Sequence, residues 1–244
     1  MHSFELAIWD NKFLDFFNEP ENSQRRLTPG VYDAKVFGGA GQQVQIILLD
    51  TRYFKGHHIK DTRSKEEKVA AGLSGSMGNY VPNQDASVTL LGAEQWAWLE
   101  QQLKQPADIR LIASSTQVIP DQKAMDEWGN YPLERQKLFD LIVSTQANGV
   151  VLLTGNVHFS EISSIDTASY PLVDFTSSGL THTAPAYAKA NNDYRIAGPF
   201  DGKIFGVVEI DWDAKPSPLA TLKAVAEDGS AAFNHKVTLD QLQH

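Results

Sequence analysis

The sequence predicts an α/β fold built as a sandwich of two β-sheets flanked by helices. Two observations carry that prediction. Strand-like and helix-like segments alternate from residue 44 to residue 153, and beyond residue 150 apolar runs follow one another as strands with little helix between them. With 244 residues and 42% hydrophobic content the chain can bury one substantial core, so residues 1–244 are expected to form a single domain.

Taken in order, Lys12 to Phe17 is short and aromatic and reads as a helix, and Asn18 to Pro29 is a polar, turn-rich stretch. Val31 to Phe37 alternates in character, as a strand does, and the glycines at 38, 39 and 41 separate it from a central strand, Val44 to Leu49. Arg52 to Asp85 is a long polar excursion of the kind that is often functional, and its pair His57-His58 reads as solvated. After Gly92, the residues Trp96, Leu99 and Leu103 fall at helical spacing and define one apolar face. Ile109 to Ala113 is a strand. Leu133 to Ala147 is a second helix with Leu138, Leu141 and Ile142 turned inward, and Val150 to Leu153 is a fully apolar strand. Runs after Val150, Val173, Ile204 and Leu219 predict four further strands, which favours two packed sheets over one doubly wound sheet. There is no internal repeat, and Ala214 to Pro218 is the one late linker-like stretch.

A formal charge of −9 disfavours nucleic acid as a bulk partner, because that binding depends on neutralising many phosphates. It does not disfavour a single phosphate ester, since a bound cation dominates the charge inside a cleft. The absence of cysteine removes disulfides, thiol nucleophiles and Cys-based metal sites, leaving O and N ligands for any metal. No run reaches the roughly 18 apolar residues of a membrane span, and MHSFELAIWD lacks the layout of a signal peptide.

The most informative segment is Leu153-Thr154-Gly155-Asn156-Val157-His158-Phe159, in which an apolar strand runs into Gly-Asn-x-His. If extended geometry continues, Asn156 and His158 share a face at a strand end, a spacing that suits two ligands of one metal cluster. The alternative is that Asn156 caps the loop and His158 packs beneath the next strand.

The stretches IWD, FLDFF, PGVYDA, VQIILLDTRYF, LLGAEQWAWLEQQLKQPADIRLIASSTQVI, EWGNYPLERQKLFDLI, GVVLLTGNVHFSEIS and YPLVDFTSSGLTH, in this order and spacing, resemble the signature of PhoD-like phosphatases. The resemblance implies a metallophosphatase fold with metals at strand ends. It also implies hydrolysis of phosphate mono- or diesters, calcium and iron as the metal ions, and a periplasmic or secreted location. Carried over by position, it makes Asn156 and His158 metal ligands, with Asn156 standing where the family has Asp. An amide ligates a hard cation more weakly than a carboxylate does. Ser114-Ser115-Thr116-Gln117 matches the active-site loop, so Ser115 or Gln117 is expected to contact phosphate or a metal-bound water. The alternative is a hydroxyl-rich strand end satisfying its own backbone. Arg52, after Asp50-Thr51, offers a planar fork for phosphate, or else an ion pair with Asp50 or another carboxylate. His182 is a further candidate for the pocket, while Trp128 to Arg135 is expected to serve packing and helix initiation.

The sequence also departs from the family. Ile8-Trp9-Asp10 passes directly into Asn11-Lys12, where the family continues as Asp-His-Asp-Tyr-Gly, and the upstream half that supplies bridging carboxylates is expected to be missing. Asp10 and Asn11 are the surviving ligand candidates there. Two-metal hydrolysis needs cations about 4 Å apart, so the expectation is one weakly held metal. Phosphate ester is the expected substrate, and the chain is expected to cover bare sheet edges by pairing with itself or another chain. A catalytically silent binding or assembly module is the competing expectation.

Overall fold

The structure is a computed structural model and describes residues 10–73, 78–167 and 169–244. Ile8 and Trp9 lie outside the described residues.

Residues 10–16 are helical. The antiparallel pair β1 (Asp33–Phe37) and β2 (Val44–Leu48) follows. The excursion after β2 holds the two-residue strands β3 (Ile59–Lys60) and β4 (Tyr80–Val81) and the short helix α1 (Lys65–Ala70), which begins with a Ser64–Glu67 capping box. Helix α2 (Gly92–Leu103), β5 (Ile109–Ala113), α3 (Pro132–Ser144) and β6 (Val150–Thr154) then alternate as the sequence predicts. Six strands come after β6: β7 (Ser160–Asp166), β8 (Pro171–Ser177), β9 (Arg195–Phe200), β10 (Ile204–Asp211), β11 (Leu219–Ala226) and β12 (Ala231–Thr238), with the one-turn helix α4 (Pro185–Ala188) before β9.

The larger sheet has the order β1-β2-β5-β6-β8-β7-β9, and its central strands β2, β5, β6 and β8 are parallel. The smaller sheet is antiparallel, β10-β11-β12. The two meet face to face: a Cβ on Gly206 of β10 would lie 2.9 Å from Phe175 and Ser177 of β8, so only glycine admits this approach. Helices α2 and α3 send Trp96, Leu99, Leu103, Leu138 and Ile142 into the core that the parallel strands supply through Ile47, Ile112 and Leu152. The expected sandwich of two sheets is therefore the observed architecture, with more strands than the sequence predicts. Strand β7 is hidden from an apolar scan because Ser160, Glu161 and Ser163 are polar yet fully buried.

Parallel strands joined by helices bring their carboxyl ends to one edge of the sheet, where α/β proteins place their ligands. Here those ends carry Asp50-Thr51-Arg52 after β2, Ser114-Ser115 after β5 and Gly155-Asn156 after β6. Gly149 makes the return into β6 tight: with φ +70°, its missing Cβ would sit 2.2 Å from the Asp108 carbonyl oxygen.

Candidate active site

Each strand end is fixed by its own backbone chemistry. The Asp50 carboxylate accepts N–H bonds from Arg52 and Tyr53 on Oδ1 and from Val31 on Oδ2, which folds the chain back after β2. Thr51 and Ser115 hydroxyls meet at 2.5 Å and tie the β2 end to the β5 end. Ser115 is exposed and, with Ser114, Gly155, Phe175, Gly206 and Val208, borders an open cavity between the two sheets. After β6 the backbone leaves extended geometry. Asn156 has φ 76° and His158 φ 61°, two left-handed residues bracketing Val157, which is buried. Non-glycine residues rarely adopt this conformation, although Asn and His do so more than most, and it clusters at functional sites.

The consequence is that Asn156 and His158 both face solvent while Val157 and Phe159 fill a small apolar cluster with Ala188. Both residues of the motif are exposed on a left-handed turn in place of the expected extended strand end, and His158 does not pack beneath the next strand. Its backbone N–H is held by Ser178 at 3.0 Å, and its ring lies 6.3 Å from that of His182. His182 therefore lies beside His158 on the solvent-facing side of the β6 end, the mouth of the candidate site, its Nδ1 2.8 Å from the Thr181 hydroxyl.

Arg52 donates from Nη1 to Asp126 Oδ2 at 2.6 Å, so its partner is Asp126 and not Asp50. Asp126 also receives Lys55 Nζ at 2.6 Å and His58 Nε2 at 3.0 Å. Burial alone would raise the Asp126 carboxyl, but the hydrogen bonds from His58, Lys55 and Arg52, with the Arg52 charge, hold it well below the usual carboxylate range. The backbone carbonyl of the same residue accepts the Asn156 amide at 3.3 Å, which joins this hub to the β6 end. Reading His57-His58 as solvated is thus correct for exposed His57 and wrong for His58, which stacks on Tyr80 at 4.0 Å and reaches Asp126. Asp126 and Tyr131 lie 68 and 73 residues from His58 in the chain, beyond any local signal.

Gln117 is a second correction. Its side chain is buried, and its amide donates to Glu161 Oε1 at 2.9 Å and to Thr176 at 2.8 Å, so it points beneath the sheet ends and does not reach the mouth. It belongs to a sealed polar layer in which Glu161 also holds Lys123 at 3.0 Å and Arg195 at 2.6 Å. Trp128 is buried, with its indole N–H on Ser114, and Pro132 opens α3, as packing and helix initiation require.

Asp10 accepts the Gly30 N–H at 3.0 Å. Burial raises its pKa, and repulsion from Asp50 adds to the rise despite the bond from Gly30. Asp10 and Asn11 border a cavity lined by Arg25, Arg26, Thr28 and Tyr53, separate in its lining from the one beside Ser115. Calcium and iron sites call for several oxygen or imidazole ligands converging on one point. Among the described residues no group of three or more His, Cys, Asp or Glu is arranged to hold a metal ion. Asp50 is occupied by backbone donors and Asp126 by cations, leaving an imidazole pair and one amide at the mouth. The expected set Asp10, Asn11, Asn156 and His158 does not fit the implied centre, because Asp10 is held on the β2 side and the β6 end brings no carboxylate.

Residues 37–203 match the family model described as PhoD-like phosphatase. The chain belongs to that family. Among curated proteins it is similar to alkaline phosphatase D of Bacillus subtilis (strain 168), with 31% identity over 121 residues, 44% of this chain and 20% of that protein. Among solved structures it is similar to one described as "Structure of PhoD", with a TM-score of 0.60 and 17% identity over 96% of this chain and 46% of that one. At that identity the likeness speaks for the PhoD fold. The chain spans less than half the length of either relative.

Proposed function

We infer that this PhoD-like chain is a phosphoester hydrolase whose substrate sits at the carboxyl ends of β2, β5 and β6. What supports the reading is that Arg52, Ser115, Asn156 and His158 all follow the carboxyl ends of these neighbouring strands, within the segment that matches the family. Arg52 supplies a planar cationic fork for phosphoryl oxygens, and the Ser115 hydroxyl orients the ester from the neighbouring strand end. His158, exposed beside His182, exchanges a proton with the attacking water or the leaving ester oxygen. Metal dependence is implied by the resemblance, and its ligand set is incomplete among the described residues. The cavity beside Ser115 accommodates the organic part of the ester. Reading residues 1–244 as one domain is supported by the continuous core from Ile47 to Leu242. Exposed Val36 and Phe37 on edge strand β1 and Ile196 on edge strand β9 suit cover by a second copy, which a mass measurement in solution tests. Among the described residues no helix is long and apolar enough to cross a membrane. A periplasmic or secreted location comes from the resemblance alone.

The test is hydrolysis of p-nitrophenyl phosphate and bis(p-nitrophenyl) phosphate, in chelated buffer and with calcium, iron, manganese or zinc added. Turnover that falls at least about a hundredfold in His158→Ala supports the reading, given the usual contribution of a proton-transfer group. A folded chain with no turnover under any of these conditions contradicts it and favours the silent binding module.

A further inference from the structure

We propose that Arg52, Lys55 and His58 form a preformed subsite for phosphoryl oxygens, and that Asp126 occupies it as a carboxylate stand-in until a phosphoester displaces it. The proposal rests on reading the strand ends as a phosphoester site. It adds Lys55 and His58 as binding residues and names the group that must leave.

The geometry is that of an oxyanion cradle already filled. Arg52 Nη1 and Lys55 Nζ each lie 2.6 Å from an Asp126 oxygen, and His58 Nε2 lies 3.0 Å from the oxygen that Lys55 contacts. Three donors share two carboxylate oxygens, whereas a phosphoryl group presents three and gives each donor its own. Carboxylate and phosphate are interchangeable partners for guanidinium and ammonium groups, so the occupant is decided by charge and fit. Two positive charges against one carboxylate leave the spot net positive in a chain of formal charge −9.

The donors stay in place whichever anion is present. His58 is clamped by Tyr80, stacked at 4.0 Å and 19°, and its Nδ1 lies 3.2 Å from the Tyr131 hydroxyl, itself donated to the Gly56 carbonyl at 2.8 Å. Lys55 is mostly buried, and that desolvation lowers its pKa, so an anion beside it favours the charged ammonium. Asp126 supplies that anion from a different segment, the loop between β5 and α3. Its backbone carbonyl is held by Asn156, so a side-chain rotation releases the carboxylate without moving the chain. The Arg52 side chain is 49% exposed, which leaves the subsite open to solvent on the side of the mouth.

The experiment is calorimetric titration of inorganic phosphate into the unsubstituted chain, Asp126→Asn and Lys55→Met, with sodium chloride at matched ionic strength as control. The expected result is phosphate binding about tenfold tighter in Asp126→Asn and at least about tenfold weaker in Lys55→Met, the scale of one charge-assisted contact. Binding no tighter in a folded Asp126→Asn, or unchanged in Lys55→Met, overturns the proposal. A readout that needs no stable Asp126 variant is the His58 imidazole resonance of the unsubstituted chain, assigned by its loss in His58→Gln. It shifts as phosphate is added; a resonance that stays fixed while calorimetry shows phosphate bound overturns the proposal. Neither readout involves turnover. Phosphate binding of this kind in a chain that hydrolyses nothing therefore rejects the hydrolase and keeps the subsite, and turnover with no Asp126 effect does the reverse.

Discussion

Two carboxylates in this molecule gather cations, and they sit in opposite surroundings. Glu161 on β7 holds Lys123 and Arg195 and accepts from Gln117 and Asn192, with its side chain and that of Lys123 fully buried. Burial alone would raise its pKa, but the charges of Lys123 and Arg195 and the bonds from Arg195 and Gln117 prevail and lower it. Asp126 holds Arg52, Lys55 and His58 with 24% of its side chain exposed, beside an Arg52 that is half in water. The chemistry of the two hubs is alike and the solvent differs. Where water is excluded, neither partner has an alternative and the hub is a lock that fixes β7 under the strand ends. Where water and solutes reach the same kind of pairing, one anion can replace another.

That contrast is broken or sharpened by four changes, the largest first. Glu161→Gln leaves Lys123 buried without its anion and is expected to destabilise the fold by about 3–5 kcal/mol in urea denaturation; a loss as small as that of a surface pair would show that the layer is wet. Glu127, four residues beyond Lys123 and bonded to its backbone, gives the second change. Its Oε1 accepts the Lys123 and Ala124 N–H groups while Oε2 is buried without a protein partner, and desolvation pushes its pKa up to about 7 from 4.5. Between those values the unfolded state has lost the proton and the folded state keeps it. Stability therefore declines as pH rises through that window, by up to about 1.4 kcal/mol per pH unit, and levels off above it. Glu127→Gln should flatten that part of the profile in denaturation measured at a series of pH values.

At the open hub the effects on stability are smaller. Asp126→Asn is expected to lose about 1–2 kcal/mol, less than Glu161→Gln, because water reaches Asp126 and Arg52. A loss matching that of Glu161→Gln would mean that Asp126 is a structural lock as well. Tyr80→Ala removes the ring that stacks on His58 and should cost about 0.5–1 kcal/mol in stability, with weaker phosphate binding by calorimetry as its companion effect.

The same contrast explains what was legible in the sequence. Trp96, Leu99 and Leu103 on α2 and Leu138 and Ile142 on α3 announce themselves because helical spacing and burial coincide. Strand β7 does not, since its inward residues are the polar members of the sealed layer and hydropathy alone misses a buried Glu161 that is paired. Strand β9 is half exposed and contains Pro199, and β12 alternates without an apolar run, so neither stands out. At the site, Asn156 and His158 were legible as a motif, whereas the left-handed backbone that turns both outward was not. Gln117 failed for a physical reason: a polar residue following a strand can satisfy either the cleft or the interior, and here Glu161 and Thr176 claim it. Lys55, His58 and Asp126 converge only through tertiary contacts, and no spacing in the chain reports them.

The most direct measurement is a crystal structure grown with orthophosphate. The expected result is a phosphate at the carboxyl ends of β2, β5 and β6, its oxygens on Arg52 and Lys55, with the Asp126 side chain turned away and the Glu161 layer unchanged. Phosphate bound elsewhere on the molecule, with Asp126 still holding Arg52 and Lys55, would contradict it.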